Sequence, residues 1–372
     1  MLLDRTRGAL AGAVLVASLT MAGCWSMGPR EFHDIEALMA HYDVPGVSIA
    51  IIRGDVIQLE TYGVKSAVTR EPVTTTTIFQ AASISKMVTA TAVLTAVQDG
   101  SLDLDAPINS VLTSWQVPTN HFTDREPVSL RQLLSHTAGT TVSGFRGYAA
   151  GEALPTLLQV LSGSPPANSE AVVVDKVPGG AYRYSGGGYC IIQQALVDVS
   201  GERFAGFMRT RVLEPIAMSH STFTCPLPKV RLRDASSGHR SDGDVVDGGF
   251  HTYPEMAAAS LWTTPEDLAK FAMALQDALA GESSVVLTQR SAQLMMTPID
   301  DEYGLGVTPV RTRGERYFAH SGHNEGFVSL LIAHETERVG AVFMMNSEGN
   351  PVMSRLLEII AKREGWPGFD KD

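Results

Sequence analysis

The chain has 372 residues, of which 44% are hydrophobic and 19% are charged. This composition is typical of a globular protein with one large or two medium domains, and a core of that size needs no disulfide framework. The net charge of -11 argues against nucleic acid as a partner, because an acidic surface repels phosphate groups.

The first 24 residues predict an export signal. A positively charged start precedes an apolar stretch at residues 10–21, which matches a signal-peptide core and is too short for a comfortable membrane span. The stretch ends in Met-Ala-Gly-Cys, which resembles a bacterial lipobox with Cys24 as the lipidated residue. A plain secretory signal with an incidental Cys24 is the alternative. Either interpretation predicts a protein exported to the cell envelope or periplasm, and the first adds a lipid anchor in a membrane.

Hydrophobic periodicity and capping signals predict the elements that follow. Strands 47–53 and 56–62 read as a hairpin around Gly54-Asp55, and Thr264 is a predicted helix N-cap with proline in the first turn. The predicted helices are residues 32–42, 83–98, 130–135, 189–200, 204–212, a helix starting after Thr264, and 351–363; the other strands are 317–320, 327–333 and 339–345.

Strands near both ends with helices between them predict an α+β fold. We expect an antiparallel sheet flanked by terminal helices, with a mainly helical domain inserted in the middle. The sheet domain would comprise residues 32–104 and 241–364, and the helical domain residues 105–240. The cleft between these two domains is the expected place for an active site.

Two cysteines remain after the signal, and export permits a disulfide between them. Cys190, however, lies in an apolar stretch that is predicted to be helical, so two buried free thiols are expected and the pairing stays open. Neither cysteine has a Cys or His partner at metal-ligand spacing, so the sequence predicts no metal site.

Ser83 and Lys86 form the only Ser-x-x-Lys pattern of the chain, at the start of a predicted helix. At a helix N-terminus, free backbone N–H groups and the positive end of the dipole favour negative charge on an oxygen. Lysine three residues later projects from the same face, and burial would lower its pKa enough for it to accept the serine proton. By itself the pattern equally fits a capping serine followed by a solvated lysine.

Two further motifs follow in order. Tyr184 and Gly186 form a Tyr-x-Gly at the start of another predicted helix. His320, Ser321 and Gly322 lie at the end of a predicted strand. Ser-x-x-Lys, Tyr-x-Gly and His-x-Gly in this order resemble the three motifs of serine β-lactamases, penicillin-binding DD-peptidases and related esterases, and the class C branch is the most similar.

Shorter stretches resemble the same branch, so that the resemblance runs from about residue 32 to about residue 362. They are Leu-Leu-Ser-His-Thr-Ala-Gly at 133–139, Glu-Pro-Ile-Ala-Met at 214–218, Ala-Ser-Leu-Trp-Thr-Thr at 259–264 and Tyr-Gly-Leu-Gly at 303–306. The chain has no Gly-x-Ser-x-Gly elbow, which argues against an α/β-hydrolase.

The resemblance implies a two-step acyl transfer without a cofactor. Ser83 would attack a carbonyl carbon and form an acyl-enzyme, while Lys86 and Tyr184 would carry the proton transfers as a pair, with Tyr184 favoured as the base toward water or the leaving group. The backbone N–H groups of Ser83 and His323 would form the oxyanion hole, in which one donor contributes about 3–4 kcal/mol in comparable hydrolases.

The resemblance also implies which residues surround the substrate. Gly186, His320, Ser321 and Gly322 would line its binding site, and Gly322 is expected to let the substrate lie against the strand. Two residues are expected just outside the site. Ser85 either supports Lys86 by a hydrogen bond or completes the helix cap, and His136 bonds within its own turn.

Two departures from the class C pattern bear on the substrate. That branch has asparagine where this chain has Gly186, and the asparagine amide holds the acylamide arm of a β-lactam. It has lysine where this chain has His320, which is mostly neutral at pH 7 unless a neighbour raises its pKa. Both changes remove recognition of an anionic, amide-bearing substrate, and neither changes the nucleophile.

The leading hypothesis is a cofactor-free serine hydrolase that cleaves ester or amide bonds of a small molecule or peptide. The first alternative is a genuine class C-like β-lactamase or a DD-carboxypeptidase. The second is a non-catalytic, envelope-tethered module that binds peptidoglycan or penicillin. The sequence leaves the physiological substrate and the oligomeric state open.

Overall fold

The computed structural model describes residues 34–282, 285–299, 302–348 and 351–369. The predicted export signal and Cys24 lie outside the described residues. Within them, no helix combines the length and the apolar character that crossing a bilayer requires.

The structure combines helices with two antiparallel sheets. The strands are β1 (Gly46–Arg53), β2 (Val56–Gly63), β3 (Phe79–Gln80), β4 (Trp262–Thr263), β5 (Thr308–Thr312), β6 (Glu315–Asn324), β7 (Phe327–His334) and β8 (Val339–Met345). The helices are α1 (Ile35–His41), α2 (Ile84–Gln98), α3 (Leu130–Leu134), α4 (Leu157–Ser162), α5 (Gly186–Ser200), α6 (Phe204–Met208), α7 (Met256–Ala259), α8 (Pro265–Ala280), α9 (Gln289–Met296) and α10 (Val352–Glu364). Shorter 3-10 turns lie at Ile108–Ser110, Lys229–Arg231 and Asp247–Gly249, and a π-helical turn at Arg209–Leu213 follows α6.

The larger sheet has six strands in the order β2-β1-β8-β7-β6-β5. β1 and β2 form the predicted hairpin, with Gly54 in the left-handed conformation at the turn. On its other side β1 pairs with β8, which places Ile51 opposite Ala341. The two ends of the chain therefore complete one sheet.

Both faces of this sheet are covered, which explains why β1 is a continuous apolar run. Ile49 and Ile51 pack on one face in a core shared with α1 and α10. Ala50 and Ile52 join the larger core on the opposite face, where α8 packs. Burial of each isoleucine contributes about 1.5–3 kcal/mol, so these two sets of side chains fix the register of β1.

Helix α2 is the central helix of the molecule. All of its residues from Ile84 to Ala96 are buried, as expected of a helix that is enclosed on every side. It contacts α7, α9 and β6, and Gly100, with a φ of 79°, lies just beyond its end. This position holds the N-terminus of α2, and with it Ser83, beside the end of the large sheet.

The predicted α+β class is confirmed, as are the hairpin and the Thr264 cap, whose hydroxyl accepts a hydrogen bond from the Asp267 N–H at 3.2 Å. Residues 105–240 are fully described and contain only helical elements, between the two groups of sheet strands. The division into two domains at residues 104 and 241 stays a prediction.

Several bounds differ from the prediction. Helix α5 begins three residues early because the Ser185 hydroxyl caps it by accepting from the Gly188 N–H at 2.9 Å. Strand β6 is longer than predicted at both ends. Helix 204–212 divides into α6 and the π-helical turn after it. Helices α4, α7 and α9 and strands β3, β4 and β5 were not predicted.

Both described cysteines are free, which confirms the expectation of unpaired thiols. Cys190 is fully buried in α5. Cys225 is partly exposed, so the expectation that both thiols are buried is wrong for Cys225.

Candidate active site

Ser83 lies immediately before α2, with a side chain that is only half-buried. Its hydroxyl makes no capping hydrogen bond, so the oxygen is available for chemistry. The preceding residue, Ala82, has a φ of 48°, in the left-handed region that costs a non-glycine residue free energy. Ala81 is held by a hydrogen bond from its N–H to the Leu261 carbonyl at 2.8 Å. This anchored, strained turn fixes the direction in which the Ser83 side chain projects.

Lys86 lies one turn further along α2 and is buried. Its Nζ is 3.0 Å from the Ser83 Oγ and 2.9 Å from the carbonyl oxygen of Ala258 in α7. Both partners are uncharged, so the ammonium gains no counter-ion from them. Burial lowers the pKa of Lys86 to about 7, and the Cys190 side chain opposes this shift. A substantial fraction of the amine is therefore neutral at neutral pH.

Tyr184 approaches from the other side, just before α5. Its ring centroid lies 4.9 Å from the Lys86 Nζ, and its hydroxyl is close enough to the Ser83 side chain for the two to interact. Burial raises the pKa of Tyr184 above its usual value, and the interaction with Ser83 opposes this rise. The structure thus brings the predicted nucleophile, amine and phenol together, with the phenol protonated at neutral pH.

Three predicted substrate residues lie on β6, at the edge of the large sheet. The pairing of β5 with β6 ends at Thr308 and Ala319, so the edge of β6 from residue 320 to residue 324 has no strand partner among the described residues. Asn324 and Phe327 close a two-residue hairpin turn. Because hydrogen bonding alternates along an antiparallel ladder, the backbone N–H of His323 points toward this open edge. The side chains of Ser321 and His323 are exposed.

The structure shows why glycine is needed at position 322, and the reason differs from the one that the sequence suggested. A Cβ at this position would lie 2.1 Å from the Ala81 carbonyl oxygen and 2.5 Å from the Ser329 Oγ. The space beside Gly322 is therefore filled by the turn that carries the nucleophile. The glycine allows β6 to approach this turn, and the expectation that it lets the substrate lie against the strand stays a prediction.

His320 is buried and neutral. Its Nδ1 donates a hydrogen bond to the Ser321 carbonyl at 2.6 Å, which leaves an unprotonated Nε2 in the neutral ring. Burial and the positive charge of Lys86 together lower the pKa of His320 to about 3. His320 therefore cannot replace the third-motif lysine of class C enzymes as a cation at neutral pH.

His136 lies behind Tyr184, and the centroids of the two rings are 4.3 Å apart. Its Nδ1 accepts a hydrogen bond from the Ser185 N–H at 3.1 Å, so it links its own turn to the start of α5. Burial lowers the pKa of His136 well below the usual value, and it is neutral. The histidine supports the segment that presents Tyr184, a wider role than the bond within its own turn that we expected.

Ser85 serves neither of its two expected purposes. Its hydroxyl accepts a hydrogen bond from the Leu261 N–H at 3.0 Å, which ties α2 to the residue preceding β4. The hydrogen bonds of Lys86 go to Ser83 and Ala258 and not to Ser85.

Sequence reasoning missed two residues that shape the site. The Asn324 amide, at the end of β6, donates to Gln80 Oε1 at 2.7 Å and to the Ala259 carbonyl at 3.0 Å. Phe145 packs on Gly186 at the start of α5. Neither residue belongs to a motif, and the only signal for Phe145 is an aromatic residue in a glycine-containing loop. Within the described residues, no group of three or more His, Cys, Asp and Glu side chains is arranged to hold a metal ion.

Comparison with known proteins agrees with this geometry. A family model described as "Beta-lactamase" matches residues 33–363. "Penicillin-binding protein 4" of Amycolatopsis lactamdurans is 28% identical over 266 residues, which cover 70% of this chain and 67% of that protein. A "D-aminopeptidase" of Brucella ovis is 22% identical over 331 residues, which cover 85% of this chain but only 59% of that protein.

Two solved structures share the fold. The octameric penicillin-binding protein homologue from Pyrococcus abyssi superimposes with a TM-score of 0.72 and 23% identity, covering 89% of this chain and 76% of that chain. The D-amino acid amidase from Ochrobactrum anthropi SV3, complexed with L-phenylalanine, gives a TM-score of 0.71 and 23% identity, covering 89% of this chain and 98% of that chain. The β-lactamase/transpeptidase-like fold that the sequence predicted is confirmed.

Proposed function

The chain belongs to the β-lactamase family and is a serine hydrolase, and from this premise we propose that Ser83 is the nucleophile that cleaves ester or amide bonds through an acyl-enzyme. One observation carries this proposal. The Ser83 Oγ lies 3.0 Å from a buried amine whose pKa is about 7. A serine hydroxyl needs such a base because its own proton is not lost at neutral pH.

The acylation step assigns separate tasks to the amine and the phenol. Neutral Lys86 takes the proton from the Ser83 hydroxyl while the Oγ bonds to the substrate carbonyl carbon and the carbonyl oxygen becomes an anion. When this intermediate collapses, the bond to the leaving group breaks and the leaving group takes a proton from the Lys86 and Tyr184 pair. Because the pKa of Tyr184 is raised, almost none of its phenolate is present at neutral pH, so Tyr184 acts as a protonated donor and Lys86 as the base.

The carbonyl oxygen needs hydrogen-bond donors where its negative charge develops. The N–H of Ser83 at the start of α2 and the N–H of His323 at the open edge of β6 are the proposed donors. Strand β5 pairs with β6 only as far as Ala319, so among the described residues no strand lies alongside residues 320–324 on this edge. Deacylation repeats the chemistry with water, which loses a proton to Lys86 as its oxygen attacks the acyl carbon and Ser83 recovers its proton.

The proposed substrates carry no essential negative charge beside the scissile bond. The neutral ring of His320 and the missing side chain of Gly186 remove the groups that would hold a carboxylate and an acylamide. The names of the relatives include a D-aminopeptidase and a D-amino acid amidase, which supports small amides or peptides as substrates beside esters. Turnover of β-lactams or of D-Ala-D-Ala peptides stays the second candidate, supported by the penicillin-binding relative.

The test compares Ser83→Ala with a matched serine variant. Protein lacking residues 1–24 should hydrolyse short p-nitrophenyl esters, and Ser83→Ala should abolish this activity. Ser101→Ala is the control, because Ser101 is exposed at the opposite end of α2. Equal rates in wild type and Ser83→Ala would refute the assignment of the nucleophile.

Intact-protein mass spectrometry then identifies the acyl group. The protein is incubated separately with penicillin, an activated ester and a D-Ala-D-Ala peptide. An adduct from the ester alone supports the esterase proposal, whereas turnover of penicillin or release of D-alanine supports the second candidate. A permanent adduct without turnover of any of the three would indicate the non-catalytic binding module.

We also propose that the protein is exported and anchored by a lipid on Cys24. The Met-Ala-Gly-Cys motif and the apolar stretch before it support this proposal. Radioactive palmitate should label the full chain in a bacterial host and should not label Cys24→Ala. Equal labelling of both chains, or labelling of neither, would reject the anchor.

A further inference from the structure

The space beside Gly186 is occupied by an aromatic ring. A Cβ built on Gly186 would lie 2.9 Å from Cε2 and 3.4 Å from Cδ2 of Phe145, and 3.2 Å from the Ser143 carbonyl oxygen. A side chain at position 186 would therefore displace Phe145. Gly186 is two residues after Tyr184, so the ring lies next to the segment that carries the catalytic phenol.

Phe145 is held in place by the backbone of its loop. The N–H groups of Gly186 and Gly187 donate to the carbonyls of Ser143 and Val142, at 3.0 Å and 2.9 Å. These bonds join the loop to the first turn of α5. Because the same turn fixes Tyr184, the position of the ring relative to the catalytic residues is fixed as well.

The chemistry of this wall is apolar. Phe145 is only partly buried and packs against the larger core. Gly186 presents no amide or hydroxyl. An amide in the acyl portion of a substrate would lose water here without gaining a side-chain partner, which is unfavourable, whereas an apolar acyl group would gain contact area.

We propose that Phe145 forms the apolar wall of the pocket for the acyl group, and that the protein selects substrates with an aliphatic or arylalkyl acyl portion. This inference rests on the proposed function, because the acyl group is the part transferred to Ser83. In class C enzymes a hydrogen bond recognises the acylamide. Here Gly186 and Phe145 would instead recognise the acyl group by apolar contact.

The first test measures kcat/KM for p-nitrophenyl esters from acetate to hexanoate, together with the phenylacetate ester. Each methylene that is buried against the ring should raise kcat/KM by up to about fourfold. Phe145→Ala should reduce this increase per methylene to less than about twofold. Phe122→Ala is the matched control, since Phe122 is another partly buried ring packed on the same core, and it should keep the wild-type increase.

The second test restores a polar side chain at position 186. Gly186→Asn alone places its Cβ against the Phe145 ring and should lower activity on all esters. Gly186→Asn combined with Phe145→Ala has room for the asparagine, and its ratio of kcat/KM for an N-acetylglycyl ester over a butyryl ester should rise at least tenfold above wild type. The inference is overturned if Gly186→Asn alone gives the same rise, or if Phe145→Ala leaves the dependence on chain length unchanged.

Labelling by a fluorophosphonate separates this inference from the proposed function. Loss of chain-length selectivity with Ser83 still labelled supports the pocket, whereas a wild-type protein that is neither labelled nor active rejects the function itself. If Phe145→Ala does not fold, Phe145→Trp takes its place. The larger ring should move the optimum to shorter acyl chains, and an unchanged optimum would count against the wall.

Discussion

The pH dependence of ester hydrolysis is expected to follow the protonation of Lys86. The amine is enclosed, and its hydrogen bonds reach only the Ser83 hydroxyl and the Ala258 carbonyl. Because neither partner carries a charge, burial dominates and lowers the pKa from 10.5 to about 7. The kcat/KM for an uncharged ester should therefore rise between pH 5 and pH 8, with a midpoint near 7.

The size of the effect follows from this pKa. A difference of one in pKa corresponds to about 1.4 kcal/mol, so burial disfavours the ammonium by about 5 kcal/mol. At pH 7 about half of the Lys86 side chains are neutral, against about 1 in 3,000 for a lysine in water. The environment of Lys86 thus raises the population of the reactive base by about three orders of magnitude.

Stopped-flow hydrolysis of p-nitrophenyl acetate from pH 5 to pH 10 measures this profile. Lys86→Arg is the informative variant, because a guanidinium remains charged across the range and cannot accept the Ser83 proton. It should lose kcat/KM by at least about 10²-fold at pH 8, since a positioned base contributes about 10²–10⁴-fold. A wild-type midpoint above pH 9, or an active Lys86→Arg, would refute the assignment of Lys86 as the base.

The same pKa predicts a change in stability that requires no activity. Between pH 7 and pH 10.5 the unfolded chain holds a proton on Lys86 that the folded chain has lost, so the free energy of unfolding of wild type rises with pH in this window. Lys86→Met lacks this rise. Its stability relative to wild type should be greatest below pH 7 and should fall by up to about 5 kcal/mol toward pH 10. A difference that stays constant in urea unfolding from pH 6 to pH 10 would contradict the burial argument.

Three further predictions follow from contacts in and around the site. Tyr184→Phe should lower kcat by about 10²–10⁴-fold while the protein remains folded, and unchanged single-turnover kinetics would exclude Tyr184 from proton transfer. Gly322→Ala should lower the free energy of unfolding by about 1–3 kcal/mol because the new Cβ meets the Ala81 carbonyl. Gly206→Ala, in helix α6, is the control: its Cβ would make one ordinary contact, with Glu202 Oε2 at 3.8 Å, and it should be neutral or slightly stabilising in the same denaturation assay. Glu255 is buried and its pKa is raised by burial to about 7, so wild type should lose stability as the pH rises from 4.5 to 7. Glu255→Gln should lack this loss of about 3 kcal/mol. Thermal melts of the two proteins at pH 4.5 and pH 8 measure the difference, and an equal loss of stability in both would contradict the prediction.

The elements that the sequence predicts well are those whose pattern is local. The hairpin of β1 and β2 combines two apolar runs with a glycine turn, and Thr264 lies in a strong capping sequence. Strand β5 carries a proline and an arginine in five residues, and it forms because β6 offers an edge for pairing. Its backbone bonds depend on a partner strand, which the local pattern of Thr308–Thr312 does not reveal.

The same distinction separates the predicted and the missed parts of the site. Spacing places Lys86 one turn after Ser83, because both lie on one helix. The left-handed conformation of Ala82 has no local signal, since alanine rarely adopts it, and it arises from contacts made by Ala81. The space at Gly322 and the ring beside Gly186 depend on segments distant in the chain, so glycine in a motif shows that room is needed without showing which group needs it.

The low charge of the resting site also bears on the transition state. At neutral pH the pH is close to the pKa of Lys86, His320 is neutral and Tyr184 is protonated and uncharged. The resting site therefore has little fixed charge to attract an anion. Transfer of the Ser83 proton creates an ammonium on Lys86 and an oxyanion on the substrate at the same time. In a buried site these opposite charges attract each other more strongly than in water, so the environment that disfavours the isolated ammonium favours the pair. Burial of Lys86 therefore supplies a neutral base before the attack and a retained proton for the leaving group after it.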